Sequence, residues 1–148
     1  MVTNMLIATD GTELAGKAVD EGLALAAMIG ARVTALTVSE SWSVIDVTHR
    51  AKAGAENPIA DFEEAAVRRA REILGRVAAK AEALGVRCDK AHRTDSAPAE
   101  AIVEEADRRN CDLIVMASHG RRGLDRILLG SQTQRVLAMT TRPVLVYR

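Results

Sequence analysis

The chain has 148 residues, 48% of them hydrophobic and 27% charged, and its 20 Lys and Arg balance 20 Asp and Glu at a formal net charge of zero. That length suits one domain over 1–148 with a core of its own. The charge balance argues against a polyanion-binding surface over the whole molecule, because neutralising nucleic-acid phosphates takes an excess of Lys and Arg.

The N-terminal MVTNMLIATDG carries neither a basic region nor a signal-type apolar core, and no apolar run approaches a membrane span. A cytoplasmic protein with neither nucleic acid nor membrane as partner is expected, and the scarcity of aromatic residues (Trp42, Phe62 and Tyr147) argues against stacking on single strands. Residues 4–8 read as the first strand. Thr12 is the expected N-cap of a helix running to about Met28, with an inner face of Ala15, Ala18, Val19, Gly22, Ala26 and Ile29 and a stop at Gly30. Residues 33–38 form the second strand. Residues 39–58 show no sustained periodicity and read as a long loop, a feature that inside a compact domain tends to be functional.

A long helix follows over 59–84, where Phe62, Ala66, Ala70, Ile73, Val77, Ala81 and Leu84 make one apolar stripe. Asp61, Glu63 and Glu64 near its start and Arg76 and Lys80 towards its end complement the helix dipole. Gly85 ends it, and 86–92 is the third strand. Pro98 suits the first turn of the next helix, which ends near Asn110. Cys88 and Cys111 lie far apart beside strand-like runs and read as buried free thiols of a reducing compartment. The unbroken apolar run Leu113-Ile114-Val115-Met116-Ala117 is the pattern of a fully buried parallel strand. Ser131 and Gln134 have capping-box spacing for the last helix, and Pro143 precedes a final strand over 144–147. Strands alternating with helices give an α/β fold, an open five-stranded parallel sheet with helices on both faces.

Residues 112–131, DLIVMASHGRRGLDRILLGS, place that strand, a glycine loop and a helix start in succession. Glycines let backbone approach a phosphate, and unsatisfied N–H groups at a helix start point at it, so a phosphorylated small molecule is the expected ligand. A Gly130→Val change is expected to block the phosphate while leaving the fold intact. Other chemistries lack their residues. Gly16-Lys17 runs into Ala18 rather than completing a Walker A loop, no Gly-x-Gly-x-x-Gly is present, and His49, His92 and His119 have no metal-ligand spacing. No general base stands beside a nucleophile, so neither catalytic nor protein-bound metal residues are assigned. Asp95 leads straight into Ser96-Ala97-Pro98, a poor setting for a phosphoacceptor.

Gly120 and Gly130-Ser131, with nine residues between the two glycines, resemble the motif of the ATP-binding universal stress proteins, which is Gly, two residues, Gly, nine residues, then Gly with Ser or Thr; the first glycine falls on Ala117 here. Ile7-Ala8-Thr9-Asp10-Gly11-Thr12 is similar to that family's first strand and acidic loop, Ala97-Pro98-Ala99-Glu100-Ala101-Ile102 to the start of its third helix, and Arg142-Pro143-Val144-Leu145-Val146 to its closing strand. Only 39–59 lacks a counterpart. The resemblance implies a Rossmann-like fold of the adenine nucleotide alpha hydrolase-like kind, with strands one and four adjacent where strand order reverses. It also implies ATP with Mg2+ as ligand, held by Ala8, Thr9, Asp10, Val38, Met116, Ala117, Gly120, Arg121, Gly130, Ser131 and Gln132. In that reading Asp10 contacts the nucleotide or, through water or metal, its phosphates. Gly120 and Gly130 admit the phosphates, Ser131 offers hydroxyl and N–H, Arg121 and Arg122 attract the triphosphate, and Val38 and Met116 face base and ribose. Gln132 stands where a small apolar residue is expected. A homodimer through 143–147, with Val144 and Val146 near the axis, and a role as stress-response regulator or effector are implied as well. Two other readings stay open: a dimeric interaction protein that has lost nucleotide binding, and a slow ATPase or phosphotransferase.

Overall fold

A computed structural model describes residues 1–119 and 129–148. In chain order the elements are β1 (Asn4–Ala8), α1 (Glu13–Ile29), β2 (Arg32–Ser39), α2 (Val44–Lys52), α3 (Pro58–Ala83), β3 (Cys88–Thr94), α4 (Pro98–Arg108), β4 (Leu113–Ala117), α5 (Ser131–Met139) and β5 (Val144–Tyr147). The strands form one parallel sheet in the order β3-β2-β1-β4-β5. From β1 the chain adds strands on one side, then crosses to the other, so the order reverses between β1 and β4, as the resemblance implied.

The sheet is covered on both faces, which is why β1 and β4 are apolar without alternation. The period of two still sorts their side chains. Met5, Ile7, Leu113 and Val115 pack with α1 and α3 residues such as Leu23, Leu74 and Val77, while Leu6, Ile114 and Met116 pack with Ile102 of α4 and Val136 of α5. Met5, Leu6 and Ile7 are fully buried; each such side chain contributes about 1.5–3 kcal/mol of transfer free energy.

Four local expectations are corrected. The segment 39–58 contains α2, started by a capping box in which Ser43 Oγ accepts from Asp46 N and Asp46 Oδ2 accepts from Ser43 N. Periodicity could not reveal it, because α2 buries no residue. In α1 and α3 the helical turn selects Leu23 and Leu74 for burial, whereas Ile29 and Leu84 are exposed. The third strand begins at Cys88 and runs to Thr94, two residues beyond the expected end. The capping box expected at Ser131 and Gln134 does not form: Gly130 is the N-cap and Gln134 Nε2 donates to the Leu129 carbonyl instead. Cys111 is buried, Cys88 is half-buried, and both are free thiols whose pKa burial raises.

Candidate functional site

The carboxyl ends of β1, β2 and β4 open at the point where strand order reverses, the crevice in which open α/β sheets hold ligands. Pairing of Ile7 with Val115 and of Ala8 with Leu36 brings the segments after β1, β2 and β4 to one place. Thr9 is buried there: its N–H donates to the Leu36 carbonyl (2.9 Å) and its own carbonyl accepts from Thr37 Oγ1 (2.9 Å).

Asp10 and Gly11 then turn the chain into α1. Asp10 Oδ1 accepts from Thr12 N (3.0 Å) and Thr12 Oγ1 (2.7 Å), and Thr12 Oγ1 in turn accepts from Ala15 N. The half-buried carboxylate thus closes the turn that starts the helix and places negative charge at its N-terminus, where the dipole favours it. Gly11 takes φ +81°, and a Cβ there would lie 2.8 Å from Ile73 of α3, so both backbone conformation and space demand glycine.

On the other side of the crevice, Ser118 follows β4 and is buried, its Oγ 2.8 Å from His119 Nδ1. The chain returns at Gly130, whose N–H donates to the Ser118 carbonyl (2.7 Å). A Cβ on Gly130 would sit 2.9 Å from that carbonyl oxygen and 3.4 Å from His119 Cα. Both obstacles are backbone, so a Gly130→Val protein does not keep this fold unchanged, contrary to the expectation from sequence. Thr133, buried in the first turn of α5, donates from Oγ1 towards the Ala117 and Ser118 carbonyls (3.1 Å each) and fastens the helix start to the end of β4. That start has no side-chain cap and no acidic residue in its first turn. Its leading N–H groups and the positive end of the dipole suit an anion.

The structure brings Thr9, Asp10, Ala117, Gly130 and Ser131 to the crevice, with Ser131 exposed at the first position of α5. Ala8 and Met116 are core residues against α4 and α5, and half-buried Val38 packs with them. Ala117 turns its methyl towards Ala15 and Ala18 of α1, so the extra carbon at the first motif position is absorbed by helix packing. Gln132 points elsewhere: its Oε1 accepts from Ala99 N (3.1 Å) and caps α4, whose own N-cap is Ala97. Gly120 and Arg121, together with Arg122, lie outside the described residues. Sequence reasoning passed over Thr37 and Thr133; a buried Thr ending a strand or opening a helix is the signal that marks them.

A doubly wound parallel sheet with an anion-receptive crevice at its switch point defines a class of nucleotide-binding-like folds. The family model described as the universal stress protein family matches residues 1–148, and the chain belongs to that family. It is 33% identical to universal stress protein MJ0531 of Methanocaldococcus jannaschii, over 97% of this chain and 81% of that one. It is 34% identical to a universal stress protein of Thermus aquaticus over the whole of both. Among solved structures, MJ0577 of M. jannaschii is similar with a TM-score of 0.81 at 25% identity, covering 99% of this chain and 96% of that one. A universal stress protein in complex with cAMP shares the fold (TM-score 0.68, 23% identity, 99% and 97% covered). So does one from Archaeoglobus fulgidus in complex with dAMP (TM-score 0.69, 15% identity, 100% and 98% covered).

Proposed function

We propose that this universal stress protein binds ATP with Mg2+ in the crevice between β1 and β4 and acts in the cytoplasm as a homodimeric stress-response regulator or effector. The observation that carries the reading is the uncapped start of α5, drawn against the end of β4 by the Gly130–Ser118 contact and Thr133, facing the Asp10 turn across the switch point. Family relatives in complex with cAMP and dAMP support an adenine nucleotide as the ligand class. The residues present fit that ligand. The α5 N–H groups and Ser131 would receive phosphate, and the Asp10 carboxylate would supply the kind of oxygen ligand that Mg2+ prefers beside phosphate oxygens. Ala117 is compatible with binding, because its methyl packs against α1.

Ser131→Glu tests the site without disturbing Gly130. A carboxylate in the first turn of α5 stabilises the helix by about 0.3–1 kcal/mol and repels a phosphate. The expected result is an unchanged or slightly raised melting temperature with ATP affinity at least about tenfold weaker by calorimetry. Equal ATP affinity in variant and parent would place the nucleotide elsewhere, and mass spectrometry of nucleotide released on denaturation identifies the base.

A further inference from the structure

Phosphate held at the start of α5 leaves the rest of a bound nucleotide to cross β1 towards β2, which lies two strand spacings from β4, about 10 Å away. On that side the sheet rises. The β1 ladder ends where Ala8 pairs with Leu36, whereas Thr37, Val38 and Ser39 continue, paired with His92, Arg93 and Thr94 of β3. Three further residues of strand make a wall about 10 Å high beside the Thr9–Asp10 turn. Asp95 N donates to the Ser39 carbonyl (2.9 Å) and holds the top of that wall.

Glu40, Ser41 and Trp42 link the wall to Ser43, the N-cap of α2. Three residues of chain span at most about 11 Å, which keeps the Trp42 backbone close to the rim of the crevice. The far half of α2 rests on α3, with the Arg50 guanidinium 5.4 Å from the Phe62 ring centre. Its near end is apolar and exposed: Trp42 is 41% exposed, Val44 75% and Ile45 69%. The Trp42 indole N–H makes no hydrogen bond to a described residue. Three side chains are too small a patch for a lasting protein interface, which takes about 800 Å² per partner. They match one planar base, whose faces stack on aromatic rings.

We propose that Trp42 is the base-stacking residue of this site: its indole covers the adenine of a nucleotide whose phosphates sit at α5, and Val44 and Ile45 form the apolar rim around it. This role rests on the nucleotide reading proposed above. It divides the ligand between the two sides of the crevice, with α5 taking the charge beyond β4 and the link into α2 taking the base beyond β2. Trp42 lies within 39–59, the stretch without a counterpart in the family motifs, so the contact is a property of this chain's own sequence rather than of the shared fold.

Trp42 is the only tryptophan, so its fluorescence reports the contact in the full chain. ATP with Mg2+ is expected to quench the emission along the binding curve that calorimetry gives, while inorganic tripolyphosphate binds without quenching. Trp42→Ala should weaken ATP at least about tenfold, Trp42→Phe should keep affinity within about threefold, and neither should change the affinity for tripolyphosphate. ATP that binds by calorimetry without altering the emission would overturn the proposal, as would a Trp42→Ala protein with the parent's ATP affinity. Equal losses for ATP and tripolyphosphate would make Trp42 a support of the fold instead of a contact to the base, and overturn it too. So would emission that changes on dilution of the nucleotide-free protein, because a second copy would then cover the indole. A parent that binds no ATP removes the nucleotide reading itself, a result distinct from binding without quenching. Should Trp42→Ala not fold, the parent's quenching by ATP against tripolyphosphate decides the matter alone.

Discussion

Glu105 shows how much one carboxylate can organise. It is buried, yet bonding to Arg108 outweighs the opposing effect of burial, and with Arg109 holds its pKa down to about 2 from an ordinary 4.5. The folded value lies below the unfolded one, so the associated stability is present in full above about pH 4.5 and is lost as pH falls through about 2. Glu105→Gln leaves Arg108 and Arg109 without their counter-charge, while Arg93 keeps Glu104 and Asp95. Because Arg108 reaches solvent, the cost is about 2 kcal/mol, or roughly 4–8 °C in melting temperature near neutral pH. Circular dichroism melts from pH 7 down to 2 should show the gap between variant and parent closing in the acid range; a gap independent of pH would mean that packing, not charge, was removed. Nothing in the sequence around Glu105 marks it out, since Glu104 beside it is exposed and only helical phase separates them. Gly130 was legible, but for half of its role. Sequence spacing points to a phosphate, and the structure adds a backbone contact that forbids any Cβ.

At the scale of elements, legibility followed burial. β1 and β4 stand out in the sequence because both faces are covered and, after Asn4 at the start of β1, no polar residue interrupts them. The register of α1 was readable from its small residues except at the last turn, where Ile29 is exposed. α2 escaped because nothing in it is buried: beyond its own local bonds it only rests on α3, with the Arg50 guanidinium 5.4 Å from the Phe62 ring centre, and its visible signal was the Ser43–Asp46 spacing alone. A helix held this way should melt by itself. Ser43→Ala removes the acceptor for Asp46 N, a loss of about 1 kcal/mol, confined to α2. Hydrogen exchange of amides in 47–52 should quicken about fivefold while the global melting temperature stays within about 1 °C. A matching global loss would show that α2 unfolds only with the core.

For the molecule as a whole, the reversal of strand order and the adjacency of β1 and β4 could not be read from periodicity; they came from resemblance, and β5 follows from the same topology. Ile114 N donates to the Pro143 carbonyl and Ser118 N to the Tyr147 carbonyl. By alternation Leu145 also bonds β4, and the peptide groups of Val144 and Val146 face outward from the second edge of the sheet. Val144 and Val146 are half-buried, and the exposed apolar side chains of this region are Leu145 on β5 and Leu137 and Met139 on α5. An edge with no strand beyond it among the described residues and with apolar neighbours invites an isologous partner, which is the basis of the proposed homodimer. Unlike β3, β5 carries no charged side chain between Val144 and Tyr147, so self-pairing there meets no like-charge penalty within the strand. Val146→Pro removes an outward N–H without touching the ladder to β4. Light scattering at micromolar concentration is expected to give a dimer mass for the parent and a monomer mass for Val146→Pro. The variant's fold should persist by circular dichroism, with a melting temperature that no longer rises with protein concentration. A dimer that survives Val146→Pro, or a parent that is monomeric, would leave β5 as an ordinary edge and require another surface for assembly.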